Sequence, residues 1–108
     1  MKLDCPELDI QQLRANAAAA GRLLKALANP DRLLLLCQLT QGERNVSEIE
    51  RLLGIQQPTL SQQLGVLRRE GLVETRREGK QIYYRISSPQ ALAVITTLYE
   101  LFCGREQQ

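Results

Sequence analysis

The chain has 108 residues and a mass of 12.2 kDa, enough for one domain with its own core. Hydrophobic residues at 44% and charged residues at 24% exclude an intrinsically disordered chain, and the longest dense apolar run, Leu33 to Cys37, falls far short of the ~18 residues of a membrane span. The net charge of +2 is too small to name a partner, and the absence of histidine removes the commonest general base and the commonest metal ligand together.

Aromatics are 4% with no Trp, so the core must be aliphatic. Leu and Ala dominate, which points to a mainly α fold. No basic start followed by an apolar block opens the chain, so a cytoplasmic protein is expected.

Residues 1–8, with Cys5-Pro6, read as a flexible leader, and 9–104 as the single domain, followed by a short tail at 105–108. From about Asp9 an apolar stripe runs Leu13, Ala17, Leu24 and Leu27, with Ala20 filling in, and predicts a first helix. Asn29-Pro30 ends it and starts a second, with Asn29 as cap and Pro30 at the first helical position; Gln41-Gly42 closes that helix after about Leu39. Asn45 with Glu48 three residues later forms a capping box for a third helix, whose stripe is Val46, Ile49, Leu52 and Leu53 and whose end is Gly54.

Pro58 suits the first turn of a fourth helix carrying Leu60, Leu64 and Leu67 on one face and ending at Gly71. Two extended runs, Leu72 to Arg77 and Gln81 to Ile86, follow, joined by a Glu78-Gly79-Lys80 turn into a two-stranded hairpin. Ser88-Pro89 opens a fifth helix ending near Gly104. Leu92, Ile95, Tyr99 and Phe102 mark one of its faces, and Val94, Leu98 and Leu101 much of the other. A helix apolar nearly all round is buried on both sides. So short a chain has little with which to cover it, so a dimer formed through the last and first helices is expected.

The third and fourth helices, joined by a short glycine turn and followed by a hairpin, make a winged helix-turn-helix. Outside its apolar stripe the fourth helix shows Thr59, Gln62, Gln63 and Arg69, with Gln57 before it and Ser61 at the edge. Gln pairs with adenine, hydroxyls suit base edges or phosphate, and the start of such a helix enters the major groove. Arg76, Arg77 and Lys80 sit where a wing would reach the DNA backbone. The stretch from Val66 to Arg85 carries a net +3, leaving −1 for the rest of the chain. Charge by itself fits a solvated face equally well. A Gln/Thr/Ser face without an acidic neighbour before Glu70 favours double-stranded operator DNA.

These residues carry a family likeness. The stretch from Leu24 through Ala28-Asn29-Pro30-Asp31-Arg32-Leu33, the run from Gln57 through Ser61-Gln62-Gln63-Leu64 to Val73, and the wing Arg76 to Arg85 resemble the ArsR/SmtB-type winged-helix repressors. The resemblance spans roughly Asp9 to Cys103 and implies a homodimeric DNA-binding regulator. The family's thiol metal sensors carry C-x-C on the third helix, where Asn45 to Glu50 has no cysteine, and its zinc and nickel sensors use histidines this chain lacks. No metal and no cofactor is therefore expected.

Cys37 on the second helix and Cys103 at the end of the fifth resemble the dithiol of the sulfide-responsive branch, the BigR/SqrR-type repressors, and of HlyU-like regulators. That likeness implies a pair bridged by a persulfide, polysulfide or oxidant, with loss of DNA. Cys37 among Leu33, Leu34 and Leu36 also reads as a small core hydrophobe. A regulator with inert cysteines and another signal, or an anti-repressor on the same fold, remains open. Against a thiol enzyme stand the missing base and the missing phosphate loop.

Overall fold

The computed structural model describes residues 9–103; the expectations for the leader, for Cys5 and for the tail lie outside them. The elements are α1 (Ile10–Leu27), α2 (Pro30–Leu39), β1 (Arg44–Asn45), α3 (Val46–Leu53), α4 (Thr59–Arg69), β2 (Val73–Glu78), β3 (Gln81–Ile86) and α5 (Pro89–Phe102).

Local chemistry sets most boundaries. Asp9 Oδ1 accepts from the Gln11 amide at 2.9 Å, and Asn29 Oδ1 from the Arg32 amide at 3.0 Å, satisfying donors that a helix start leaves unpaired. The capping box of α3 is complete: Asn45 Oδ1 accepts from the Glu48 amide at 2.8 Å and Glu48 Oε1 from the Asn45 amide at 2.9 Å. Ser88 caps α5 through the Ala91 amide at 3.0 Å. Gly54 ends α3 at φ 72°, a left-handed position that a side chain disfavours. Pro58 stands just before α4 rather than in its first turn; Thr59 is the first helical residue.

The hairpin expected from the sequence forms as β2 and β3, and a third strand the sequence did not signal, β1, extends it to an antiparallel sheet of order β1-β3-β2. Arg44 pairs with Tyr84 and Asn45 with Tyr83, so the short link before α3 adds an edge strand. Two residues carry too little alternation to signal a strand, and Asn45 doubles as the cap of α3.

The core centres on α2, whose Leu35, Leu36 and Leu39 are buried and meet Ile49 from α3, Leu60, Leu64 and Leu67 from α4, and Ala91 and Ile95 from α5. In the dense run Leu33 to Cys37, Leu35 and Leu36 are buried by the neighbouring elements while Leu34 stays 47% exposed. The stripe on α1 behaves differently. Leu27 is buried, but Leu13 and Leu24 are 45% and 58% exposed, and residues 11–20 are exposed throughout. In α5, Ile95 turns inward, while Leu92, Tyr99, Leu101 and Phe102 stay open and Val94 and Leu98 are half-buried.

Candidate DNA-binding surface and thiol pair

With Leu60, Leu64 and Leu67 locked into the core, the 3.6-residue period turns Gln62 and Arg69 to the opposite side of α4, with Thr59 beside them. Gln62 and Arg69 are exposed, and Thr59 is half-buried at the helix start. Gln57 caps the first turn of α4. Its Oε1 accepts from the Ser61 amide at 3.1 Å and from Ser61 Oγ at 2.7 Å. That pair leaves the Gln57 amide nitrogen as an outward donor. Gln63 departs from the sequence grouping: it is half-buried, and its Oε1 accepts from Arg32 Nη1 at 2.8 Å, toward α2 rather than outward.

The wing splits its three cations. Facing pairs in the register alternate between sheet faces, so Arg77 and Ile82 share a face with Val73 and Tyr84, while Arg76 and Tyr83 lie on the other. Arg76 stacks 4.7 Å from the Tyr83 ring centroid and donates from Nε to Glu43 Oε1 at 2.8 Å; Nη1 reaches Glu78 at 3.4 Å. These carboxylates raise the Arg76 pKa and bind its charge to the protein. Arg85 pairs with Glu74 in the same way. Among the described residues no ion pair engages Arg68, Arg69, Arg77 or Lys80.

Cys37 lies in the last two turns of α2 and Cys103 caps the C-terminus of α5; both thiols are free and half-buried. α2 packs against α5, the two helices that carry the thiols. Burial pushes the Cys37 thiol above the ordinary cysteine range, and the neighbouring Cys103 pushes it further, because one thiolate opposes a second.

The sequence pattern of the family described as "Bacterial regulatory protein, arsR family" matches residues 29–75, from the α2 cap into β2. The chain is 50% identical over 105 residues to the biofilm growth-associated repressor of Agrobacterium fabrum, covering 97% of this chain and 90% of that protein. The chain belongs to the arsR family. Among solved structures, the transcriptional repressor BigR from Xylella fastidiosa matches this arsR-family chain with a TM-score of 0.81 at 48% identity, covering 89% of this chain and 98% of that one. Reduced HlyU from Vibrio cholerae matches at 0.83 and 44% identity, covering 87% and 99%. The molecule is thus a winged-helix, DNA-binding transcriptional regulator, and its relatives are regulators rather than enzymes.

Among the described residues of this arsR-family chain no three His, Cys, Asp or Glu side chains gather as a metal site, and no helix is long and apolar enough to cross a membrane. Sequence reasoning missed two residues that shape the candidate surface. Glu43 precedes β1 and holds Arg76. Arg32 stands inside the stretch that carries the family likeness, yet nothing local distinguishes it from a solvated arginine, because its partner Gln63 lies 31 positions away.

Proposed function

We propose that this arsR-family chain is a homodimeric cytoplasmic repressor that presents α4 and the wing to operator DNA and releases it when Cys37 and Cys103 are bridged by reactive sulfur species. The observation that carries this reading is the thiol pair itself, two free half-buried cysteines close enough for one to shift the other's ionisation. A persulfide RSSH supplies the oxidising equivalents. One cysteine thiolate attacks its outer sulfur and expels RS⁻, leaving a cysteine persulfide. The second thiolate then attacks the protein sulfur of that persulfide and expels HS⁻. Two thiols and RSSH become a disulfide, RSH and hydrogen sulfide, with the sulfane sulfur reduced and the thiols oxidised. Further sulfane sulfur inserted before closure lengthens the bridge.

Dimerisation through α1 and α5 makes the bridge consequential. Leu13, Leu24, Tyr99, Leu101 and Phe102 are open apolar side chains on those two helices. Residues 11–20 of α1 are exposed along their whole length, a face one protomer leaves open. A bridge ties α2, the centre of the core, to the end of the dimerising helix. Half-sites on one face of DNA lie ~34 Å apart, so a small rotation at the dimer centre unseats both recognition helices.

The test is fluorescence anisotropy on DNA from upstream of the gene, at fixed salt, with reduced protein and protein treated with glutathione persulfide. Binding weakens on treatment, mass spectrometry finds Cys37 and Cys103 joined, and Cys37→Ser and Cys103→Ser bind DNA but do not respond. Wild-type binding that ignores the persulfide overturns the sensor reading and leaves a winged-helix regulator with structural cysteines.

A further inference from the structure

Arg32 sits in the first turn of α2, half-buried, and its guanidinium makes all its hydrogen bonds inside the protein. Nε donates to the Ala26 carbonyl at 2.5 Å and Nη2 to the Lys25 carbonyl at 3.2 Å. Both carbonyls belong to the last turn of α1, where helix acceptors run short of intrahelical donors; the Lys25 carbonyl also accepts from the Ala28 amide at 3.3 Å. Nη1 donates to Gln63 Oε1, in the middle of α4. One side chain therefore joins the end of α1, the start of α2 and the middle of α4. A second strut on the same side, Arg22 Nε to Glu70 Oε1 at 2.7 Å, ties α1 to the C-terminal end of α4.

We infer that Arg32 is the positioning residue of the recognition helix, acting through Gln63: the pair sets the angle of α4 against α1, and Gln63 holds the helix instead of reading a base. The inference rests on the proposed reading that α4 enters the DNA. Adenine readout by glutamine needs the amide oxygen and the amide nitrogen together, both turned to the base edge. Gln63 has its oxygen committed to a charged donor on the protein side, a stronger hydrogen bond than a neutral one. Gln62 faces outward without such a partner. Lysine cannot replace Arg32, because only a planar fork addresses two carbonyls on one helix and an amide on another at once.

Reduced full-length protein is titrated at fixed salt with an operator duplex and a scrambled duplex of equal length. The variants are Arg32→Lys, Arg32→Ala, Gln63→Ala, Gln63→Glu and the Arg32→Ala/Gln63→Ala double. Arg32→Lys and Gln63→Ala each lower the operator-to-scrambled ratio about tenfold, the scale of one hydrogen bond to a charged group. The double variant discriminates no worse than Arg32→Ala alone, since both changes remove one strut. Gln63→Glu binds operator more tightly than Gln63→Ala, because a carboxylate still accepts from Arg32. Additive losses in the double variant overturn the inference, as does a Gln63→Glu weaker than Gln63→Ala, the order expected of a carboxylate pressed against base edges. If Arg32→Ala fails to fold, the order of the two Gln63 variants still decides. Gln62→Ala, in the same titration, tests the underlying reading: unchanged operator affinity there removes α4 as the reader, and the inference with it.

Discussion

At the scale of single residues the surroundings of Cys37 hold its thiol protonated. Burial is the larger cause holding Cys37 protonated and Cys103 the smaller, so at a given pH Cys37 offers less thiolate than an ordinary cysteine with its pKa of about 8.5. Alkylation of Cys37 by iodoacetamide, followed by mass spectrometry against pH, therefore has its inflection above that value. Cys103→Ala moves the inflection down, but not to the ordinary value, because the desolvation remains. An inflection at or below about 8.5 in the wild type removes the argument. The stability consequence has a definite sign. A thiol whose folded pKa is raised contributes its full stability below the unfolded pKa and loses it as pH rises through the folded one, so the fold weakens on the alkaline side. Residue identity is also where the sequence is least readable. Gln62 and Gln63 are chemically identical neighbours, and what separates them is a partner on another helix.

At the scale of elements the caps and turns were legible because each is written in adjacent residues. The Asn45–Glu48 box and Gly54 declare α3 without reference to the rest of the chain. Asn45→Ala removes the acceptor for the Glu48 amide and costs about 1 kcal/mol; thermal unfolding shows a lower Tm, by roughly 4–8 °C for a domain of this size. A Tm unchanged within error means the box is redundant with the β1–β3 pairing. The edge strand β1 was not legible, since its two residues make sense only beside Tyr83 and Tyr84, nearly forty positions on. The strut between α1 and α4 is electrostatic at one end. Arg22 holds the Glu70 carboxyl below the usual carboxylate range, so its contribution is present above the ordinary Glu pKa and lost as pH falls through the lowered one. Glu70→Gln is expected to flatten the acid limb of the stability profile below about pH 4.3, leaving neutral stability little changed because the pair is exposed. An acid limb as steep in Glu70→Gln as in the wild type would assign it to other carboxylates.

At the scale of the whole molecule the sequence spoke through what one chain cannot satisfy. A fifth helix apolar on nearly every side demanded a partner, and the open side chains of α1 and α5 are where that demand falls. Polar substitution there separates association from folding, since those side chains contribute little to the protomer's own core. Leu13→Asp with Leu24→Asp places two charges on the open face of α1, distant in sequence from both thiols. Sedimentation of this double variant at micromolar concentration is expected to give a monomer with wild-type helical circular dichroism. Its operator affinity falls about a hundredfold or more, because the second half-site is no longer bound at the effective concentration that a linked partner provides. Its binding to a single half-site stays close to that of one wild-type protomer, since α4 and the wing are untouched. A double variant that still sediments as a dimer with full operator affinity moves the interface off α1. The thiol bridge would then have to act within one protomer, through α2 on α4.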